Sequence, residues 1–149
     1  MNGSSSPARV MVIGVAGRMG QEVLRAVNSA EGLEVVAGVD VHADLSTVID
    51  AVAYPGLQLF EDTSQAIKAT GPEVAVDFTN AESCMQNVSI LASSGIHTVI
   101  GTTGLVDSDV SAIRDLTNKN NIGVMIAPNF ALGAALLMHL SRISAPYFE

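Results

Sequence analysis

The chain has 149 residues, of which 48% are hydrophobic and 15% charged, with a formal net charge of −8. This length suits one domain that buries about two thirds of its unfolded surface, and the negative charge argues against a nucleic-acid or anionic-membrane surface. A single cysteine, Cys84, excludes an intrachain disulfide and favours a reducing compartment. No run approaches about 18 consecutive apolar residues, and residues 1–8 read as a disordered leader without a signal region. We therefore expect a cytoplasmic-type domain, or a plastid one from which a transit peptide has been removed.

The first apolar run, residues 9–14, leads into a glycine-punctuated turn at residues 14–20. Such glycines let the backbone turn tightly and approach a pyrophosphate, while the N–H groups of the next helix meet its charge. The spacing is G-x-x-G-x-x-G rather than the commoner G-x-G-x-x-G, and an ordinary strand-to-helix turn is the alternative. Helical periodicity over residues 18–30 predicts one apolar face, made of Met19, Val23, Ala26, Val27 and Ala30.

A second β-rich run, residues 33–39, ends at Asp40, 20 positions beyond Gly20. A carboxylate at that place can accept hydrogen bonds from the adenosine ribose hydroxyls. The alternative is a solvated turn aspartate. Residues 44–53 are compatible with a short helix.

The remaining strands are predicted at residues 57–60, 73–79, 96–100 and 122–127, and helices at 62–69, 79–94 and 107–120. Thr79 and Glu82 have the spacing of a capping box for the middle helix, which Gly95 closes. Six strands alternating with helices predict an α/β fold with a Rossmann-like, doubly wound parallel sheet. Glycine-rich or polar clusters follow five strands, which predicts a dinucleotide site at their carboxyl ends. These clusters are Gly14–Gly20, Asp40, Asp77–Thr79, Gly101–Gly104 and Ala127–Phe130.

Residues 9–130 thus form a predicted dinucleotide-binding domain, and residues 131–149 a connecting helix and the start of a second domain. Residues 131–144 are apolar on nearly every side of a helix, yet too short to span a bilayer. Such a helix needs cover on more than one side. We therefore expect further sequence beyond Glu149, or a partner subunit, to supply it.

Four motifs occur in order: V-I-G-V-A-G-R-M-G, V-D-F-T, G-T-T-G and A-P-N-F-A-L-G. With them the chain from Arg9 onward resembles dihydrodipicolinate reductase. The resemblance implies an NAD(P)H-dependent reductase of the diaminopimelate route to lysine, acting on a cyclic imine dicarboxylate. It also implies an N-terminal nucleotide domain and a C-terminal domain that binds substrate and forms a homotetramer.

The resemblance places the cofactor phosphates on the glycine loop, the adenosine ribose on Asp40, and the nicotinamide half beside the later clusters. For Phe78 and Phe130 the alternative is a core aromatic, and for Asn129 a turn residue. The implied cofactor-binding residues are Gly14, Val15, Ala16, Gly17, Arg18, Met19, Asp40, Phe78, Thr79, Gly101, Thr102, Thr103, Ala127, Pro128, Asn129 and Phe130.

The family's histidine-histidine and lysine motif has no counterpart in this chain, and we interpret His97 and His139 as structural. Catalytic residues are therefore expected beyond Glu149, and the chain alone is expected to be inactive. No metal site is expected. The alternatives are a non-catalytic NAD(P)-binding or assembly module, or another small-metabolite dehydrogenase of the semialdehyde or homoserine type.

Both NADH and NADPH are expected to bind, with NADH preferred. Asp40 would repel a 2′-phosphate, and no arginine or lysine follows it directly. Against this, Arg18 could reach an adenosine phosphate, and His42 could add charge when protonated.

Overall fold

In the computed structural model, residues 6–41, 53, 54, 56–127 and 132–148 are described. They form one six-stranded parallel sheet with the order β3-β2-β1-β4-β5-β6. The strands are β1 (Ala8–Ile13), β2 (Leu33–Val39), β3 (Gln58–Phe60), β4 (Val74–Asp77), β5 (His97–Ile100) and β6 (Val124–Ile126). The predicted Rossmann-like α/β sheet is confirmed.

Among the described elements, a helix follows every strand except β2, as expected for parallel connections. They are α1 (Arg18–Ser29), α2 (Thr63–Thr70), α3 (Ala81–Ser93), α4 (Asp107–Asn120) and α5 (Leu132–Ser144), the last followed by a 3₁₀ turn at Ala145–Tyr147. The predicted helix at 44–53 falls almost entirely outside the described residues. β1 begins at Ala8, inside the segment predicted as a leader.

Alternate residues of β1 enter two different core layers, because successive side chains of a strand point to opposite faces. Val10 and Val12 pack in one cluster with Leu24 of α1. Met11 and Ile13 pack in a second cluster with residues of α2 and α3. The central strand is therefore covered on both sides, and its end at Gly14 is held firmly in place.

A third cluster joins α3 and α4 to the end of β5, with Cys84, Val88, Ile100 and Ile113 all buried. Cover is less complete at the edge strand, where Met125 of β6 is 59% exposed. The sheet is therefore covered more completely at the central strand β1 than at the edge strand β6.

The buried face of α1 differs from the one predicted. Gly20, Leu24 and Val27 are buried, whereas Met19 and Ala26 are exposed. The helix is rotated because Gly20 lies against the turn that precedes it, where a Cβ would overlap the carbonyl oxygen of Gly14. That close approach overrides the periodicity of the larger side chains.

Helix α5 has an exposed apolar surface, as the sequence predicts. Five of its large side chains are more than half exposed, and the main neighbour of the helix among the described elements is the turn at 145–147. These side chains are Leu136, Leu137, Met138, Leu140 and Ile143. None of the described helices is both long and apolar enough to cross a membrane.

Candidate functional site

A cleft of about 540 Å³ opens at the carboxyl ends of the strands, beside the point where the strand order reverses between β1 and β4. Ligands of open α/β sheets bind at this topological position. Five of the predicted site residues line the cleft: Gly14, Gly17, Asp40, Phe78 and Thr79.

The three glycines of the first turn have three separate geometric reasons to be glycine. Gly14 has a φ of +81°, which side chains disfavour, and a Cβ there would lie 2.7 Å from the carbonyl oxygen of Phe78. Gly17 is the residue before α1, and a Cβ there would lie 3.3 Å from the Gly14 oxygen. Gly20 brings α1 against the turn. The G-x-x-G-x-x-G spacing therefore builds a close strand-turn-helix junction.

Helix α1 begins at this turn without a side-chain cap among the described residues. By contrast, the carboxylate of Asp62 caps α2 by accepting from the N–H of Gln65, and Asn80 caps α3 by accepting from Ser83. Helix N-termini carry N–H groups without intrahelical partners and a positive dipole end. The N-terminus at Gly17 is therefore suited to accept an anionic group from outside the chain.

Asp40 lies half-buried at the end of β2, next to the glycine turn. Its carboxylate oxygen Oδ2 accepts from the backbone N–H of Ala16 at 2.9 Å. Its own N–H donates to the carbonyl oxygen of Phe60, which anchors it to the end of β3. Asp40 therefore has a structural contact with the glycine turn and also faces the cleft.

Asp77, which belongs to the predicted cluster Asp77–Thr79 but not to the implied cofactor-binding residues, is completely buried at the end of β4. Its Oδ1 accepts from the Thr79 N–H at 2.9 Å, the Thr79 hydroxyl at 2.6 Å and the Thr102 hydroxyl at 3.1 Å. Its Oδ2 accepts from Asn87 Nδ2 at 2.8 Å. A strand-terminal aspartate directly before Phe78 and Thr79 was the signal that could have identified it.

The predicted capping box at Thr79 and Glu82 is wrong. Thr79 lies one residue before the N-cap position of α3, and its hydroxyl donates to Asp77 Oδ1. Asn80 caps α3 in its place. Phe78 and Thr79 thus leave the strand and turn into the cleft.

The loop after β5 lies against the loop after β4. A Cβ at Gly101 would overlap the ring of Phe78, so this glycine leaves the space that the ring occupies. Thr102 is buried and Thr103 is exposed. The side chain of Thr102 therefore packs inside the protein, where a ligand in the cleft does not reach it.

The remaining predicted residues divide into three groups. Val15 is completely buried in the core cluster beside α1, whereas Arg18 and Met19 are exposed at the start of α1. Ala127 pairs with the end of β5 through its N–H and the carbonyl oxygen of Ile100. Pro128, Asn129 and Phe130 lie outside the described residues.

The far wall of the cleft was not predicted. It combines two acidic residues after β3 and the first residue of α2 with polar residues at the start and along one side of α3, together with the apolar Val41 and Ile90. These residues are Val41, Glu61, Asp62, Thr63, Asn80, Ser83, Gln86, Asn87 and Ile90.

Cys84 and His97 have structural roles outside the cleft. Burial, followed by the charge of Asp77, raises the pKa of the Cys84 thiol to about 12. His97 accepts from the N–H of Gly123 through Nδ1 at 2.7 Å, which supports its structural interpretation. Neither side chain lines the cleft.

Comparisons with known proteins agree with this geometry. A sequence model of the family "Dihydrodipicolinate reductase, N-terminus" matches residues 8–130. A 4-hydroxy-tetrahydrodipicolinate reductase from Syntrophomonas wolfei is 38% identical over 143 residues, which cover 95% of this chain and 54% of that protein. The chain spans about half the length of the curated relatives it matches.

Solved structures give the same result. A dihydrodipicolinate reductase from Paenisporosarcina sp. TG-14, with dipicolinate bound, superposes with a TM-score of 0.78 at 30% identity, covering 95% of this chain and 54% of that one. A scyllo-inositol dehydrogenase from Lactobacillus casei superposes at 0.72 with 13% identity over 94% of this chain and 42% of that one. The second match is a likeness of fold alone.

Proposed function

Because the chain belongs to the dihydrodipicolinate reductase family, we propose that it is the nicotinamide-dinucleotide-binding half of a reductase. The reductase transfers a hydride from NADH or NADPH to a cyclic imine dicarboxylate in the diaminopimelate route to lysine. The observation that carries this proposal is the Gly14–Gly20 junction, which opens onto a cleft at the strand-order reversal. The Paenisporosarcina relative carries dipicolinate, a cyclic dicarboxylate, which supports that class of substrate.

The chain's own residues suit the parts of a dinucleotide in order along the sheet edge. The N-terminus of α1 at Gly17 would receive the pyrophosphate, and the carboxylate of Asp40, which faces the cleft, would accept from the adenosine ribose. The loops at Phe78 and at Gly101 would then lie beside the nicotinamide half. When bound, the dinucleotide supplies the hydride, and the protein supplies its position.

Charge at the adenosine end supports a preference for NADH. Asp40, Glu61 and Asp62 all line the cleft, so a 2′-phosphate would enter a region that is already negative. Arg18 is the cation on the glycine loop that favours phosphate. We propose that both cofactors bind and that NADH binds more tightly at neutral pH.

Titration of NADH and NADPH against the unaltered chain, Asp40→Asn and Glu61→Gln tests this proposal. Asp40→Asn keeps an oxygen that accepts from the Ala16 N–H but removes the charge. We expect Asp40→Asn to narrow the difference between the dissociation constants of NADH and NADPH. Glu61→Gln should have a smaller effect because Glu61 is exposed. Failure of NADH to bind the unaltered chain would overturn the proposed function. If the unaltered chain binds NADPH at least about tenfold more tightly than NADH, the role given to Asp40 is wrong, while the proposed function stands.

The described residues of the cleft do not include the cationic groups that a dicarboxylate substrate requires. Among the described residues that line it there is no lysine, arginine or histidine. Cationic groups for the two carboxylates, and a proton donor for the imine nitrogen, must come from elsewhere in the full enzyme. We therefore propose that this chain binds NADH without oxidising it when dihydrodipicolinate is added. Steady turnover by the purified 149-residue chain would contradict that.

A further inference from the structure

We propose that Asp77 is a positioning residue that fixes the Gly101–Thr103 loop for the nicotinamide half of the dinucleotide. This inference rests on the proposed function and goes beyond it, because Asp77 itself does not line the cleft. It acts through Thr102, whose hydroxyl it holds at 3.1 Å.

Both side-chain oxygens of Asp77 accept hydrogen bonds, three at Oδ1 and one at Oδ2. These four hydrogen bonds are donated by one backbone N–H, two threonine hydroxyls and one amide group. A buried carboxylate is costly unless it is fully hydrogen-bonded. Here Asp77 and Thr102 are 0% and 2% exposed, so the bond between them is shielded from competing water.

The two loops that Asp77 joins come from neighbouring strands. Its Oδ1 accepts from Thr79 after β4 and from Thr102 after β5, and Thr102 lies 25 residues beyond Asp77 in sequence. The ring of Phe78 fills the space between the loops, against Gly101. Removing the Thr102 bond would free the β5 loop from β4 at one point without altering the sheet.

The carboxylate is also fixed from its other side. Asn87 of α3 donates to Oδ2, and the Oδ1 of Asn87 accepts from the Thr63 hydroxyl at the start of α2, at 3.0 Å. The orientation of Asp77 is therefore set by α3, and the position of Thr102 follows from it.

The position of this network relative to the sheet indicates which half of the ligand it affects. A dinucleotide lies across the point where strand order reverses, with its adenosine ribose at the acidic residue after β2. Asp40 is that residue, and Thr102 lies two strands beyond the reversal, after β5. A loosened Thr102 should therefore weaken contacts with the nicotinamide half and leave those with the adenosine half unchanged.

The experiment compares NADH with ADP-ribose, which lacks the nicotinamide, as ligands of the full 149-residue chain. Thr102→Val removes the hydroxyl and keeps the shape. Thr98→Val is the matched control, since Thr98 lies on β5, is equally buried at 2%, and donates its hydroxyl to the carbonyl oxygen of Ile96. Thr102→Ser restores the hydroxyl.

We expect Thr102→Val to weaken NADH binding about tenfold and ADP-ribose binding by less than about twofold. Thr98→Val and Thr102→Ser should bind both ligands nearly as the unaltered chain does. If the valine prevents folding, Thr102→Ala removes the same bond and gives the same comparison.

Unchanged NADH affinity in Thr102→Val, or equal weakening of both ligands, would overturn the inference while leaving the proposed function intact. If the unaltered chain binds neither ligand, the proposed function is wrong and the inference falls with it.

Discussion

The ring of Phe78 lies over Gly101 so closely that a Cβ at position 101 would overlap the ring atoms Cδ1, Cε1 and Cζ. The two residues follow different strands, β4 and β5, and the N–H of Gly101 donates to the carbonyl oxygen of Asp77 at 2.9 Å. The ring of Phe78 can therefore take this position only because residue 101 has no side chain.

Gly101→Ala should accordingly displace the Phe78 ring toward the cleft. Because overpacking of a fitted contact is costly, we expect the free energy of unfolding to fall by about 1–3 kcal/mol and NADH affinity to fall with it. Urea unfolding and NADH titration measure the two effects. Gly133→Ala is the control, since Gly133 is exposed in α5 with nothing near its Cβ position, and there alanine should be neutral or stabilising by up to about 1 kcal/mol. Equal stability of the two variants would contradict this account of Gly101.

The glycines of the first turn should separate into structural and ligand-facing positions. Gly20→Ala places a Cβ on the Gly14 carbonyl oxygen, where backbone must move, so we expect loss of several kcal/mol or failure to fold. Gly17→Ala meets the same oxygen at 3.3 Å, which a small adjustment relieves, so the fold should survive. Its methyl group at the exposed start of α1 should instead weaken binding of the pyrophosphate. Circular dichroism and NADH titration distinguish these outcomes, and normal NADH binding by Gly17→Ala would exclude the turn as the phosphate site.

Cys84 should make stability depend on pH in the alkaline range. The unfolded thiol releases its proton near its ordinary pKa of 9.0, whereas burial and Asp77 raise the folded pKa to about 12. The stabilisation is therefore complete below pH 9.0 and is lost as pH rises toward 12, at up to about 1.4 kcal/mol per pH unit. Cys84→Ala should lose this slope, so the difference between the two unfolding curves against pH isolates it. Parallel curves would show that the thiol is not shielded. In the folded chain at pH 8, the thiol should also resist alkylation.

We propose that the exposed face of α5 causes the chain to self-associate at high concentration. Monomers rarely present large contiguous apolar patches, and Leu136 and Leu140 are each more than half exposed on this helix. The double variant Leu136→Lys/Leu140→Lys should therefore sediment as a smaller species than the unaltered chain. Ser141→Lys, an exposed position on the same helix, adds charge without removing apolar surface and should not change the association. A clean monomer of the unaltered chain would refute the proposal.

The order and type of the elements could be predicted because apolar periodicity and glycine turns determine them locally. The bounds of β2 and α4 were predicted to the residue. The glycines of the first turn and Asp40 after β2 were also predicted in the site, and Gly14, Gly17 and Asp40 line the cleft.

Contacts between distant segments could not be predicted in this way. Thr79 and Glu82 have the spacing of a capping box for α3, but Asn80 is the N-cap, and the Thr79 hydroxyl donates to the buried Asp77. Likewise, Thr102 was predicted to face the ligand, and its side chain is instead held in the interior by a residue 25 positions earlier. Side-chain choice at these positions depends on which loops the sheet brings together, and local sequence does not contain that information.

The central claim, that a nicotinamide dinucleotide binds across the carboxyl edge of this sheet, is tested most directly by backbone amide NMR. Titrating NADH into the ¹⁵N-labelled chain should shift the amide signals of Gly14–Gly17, Asp40, Thr79 and Gly101–Thr103, saturating with one common dissociation constant. Signals at the opposite edge, such as those of Gly32 and Gly95, should stay in place and serve as the internal control. The absence of any saturable shift, or shifts confined to residues away from the cleft, would contradict the account.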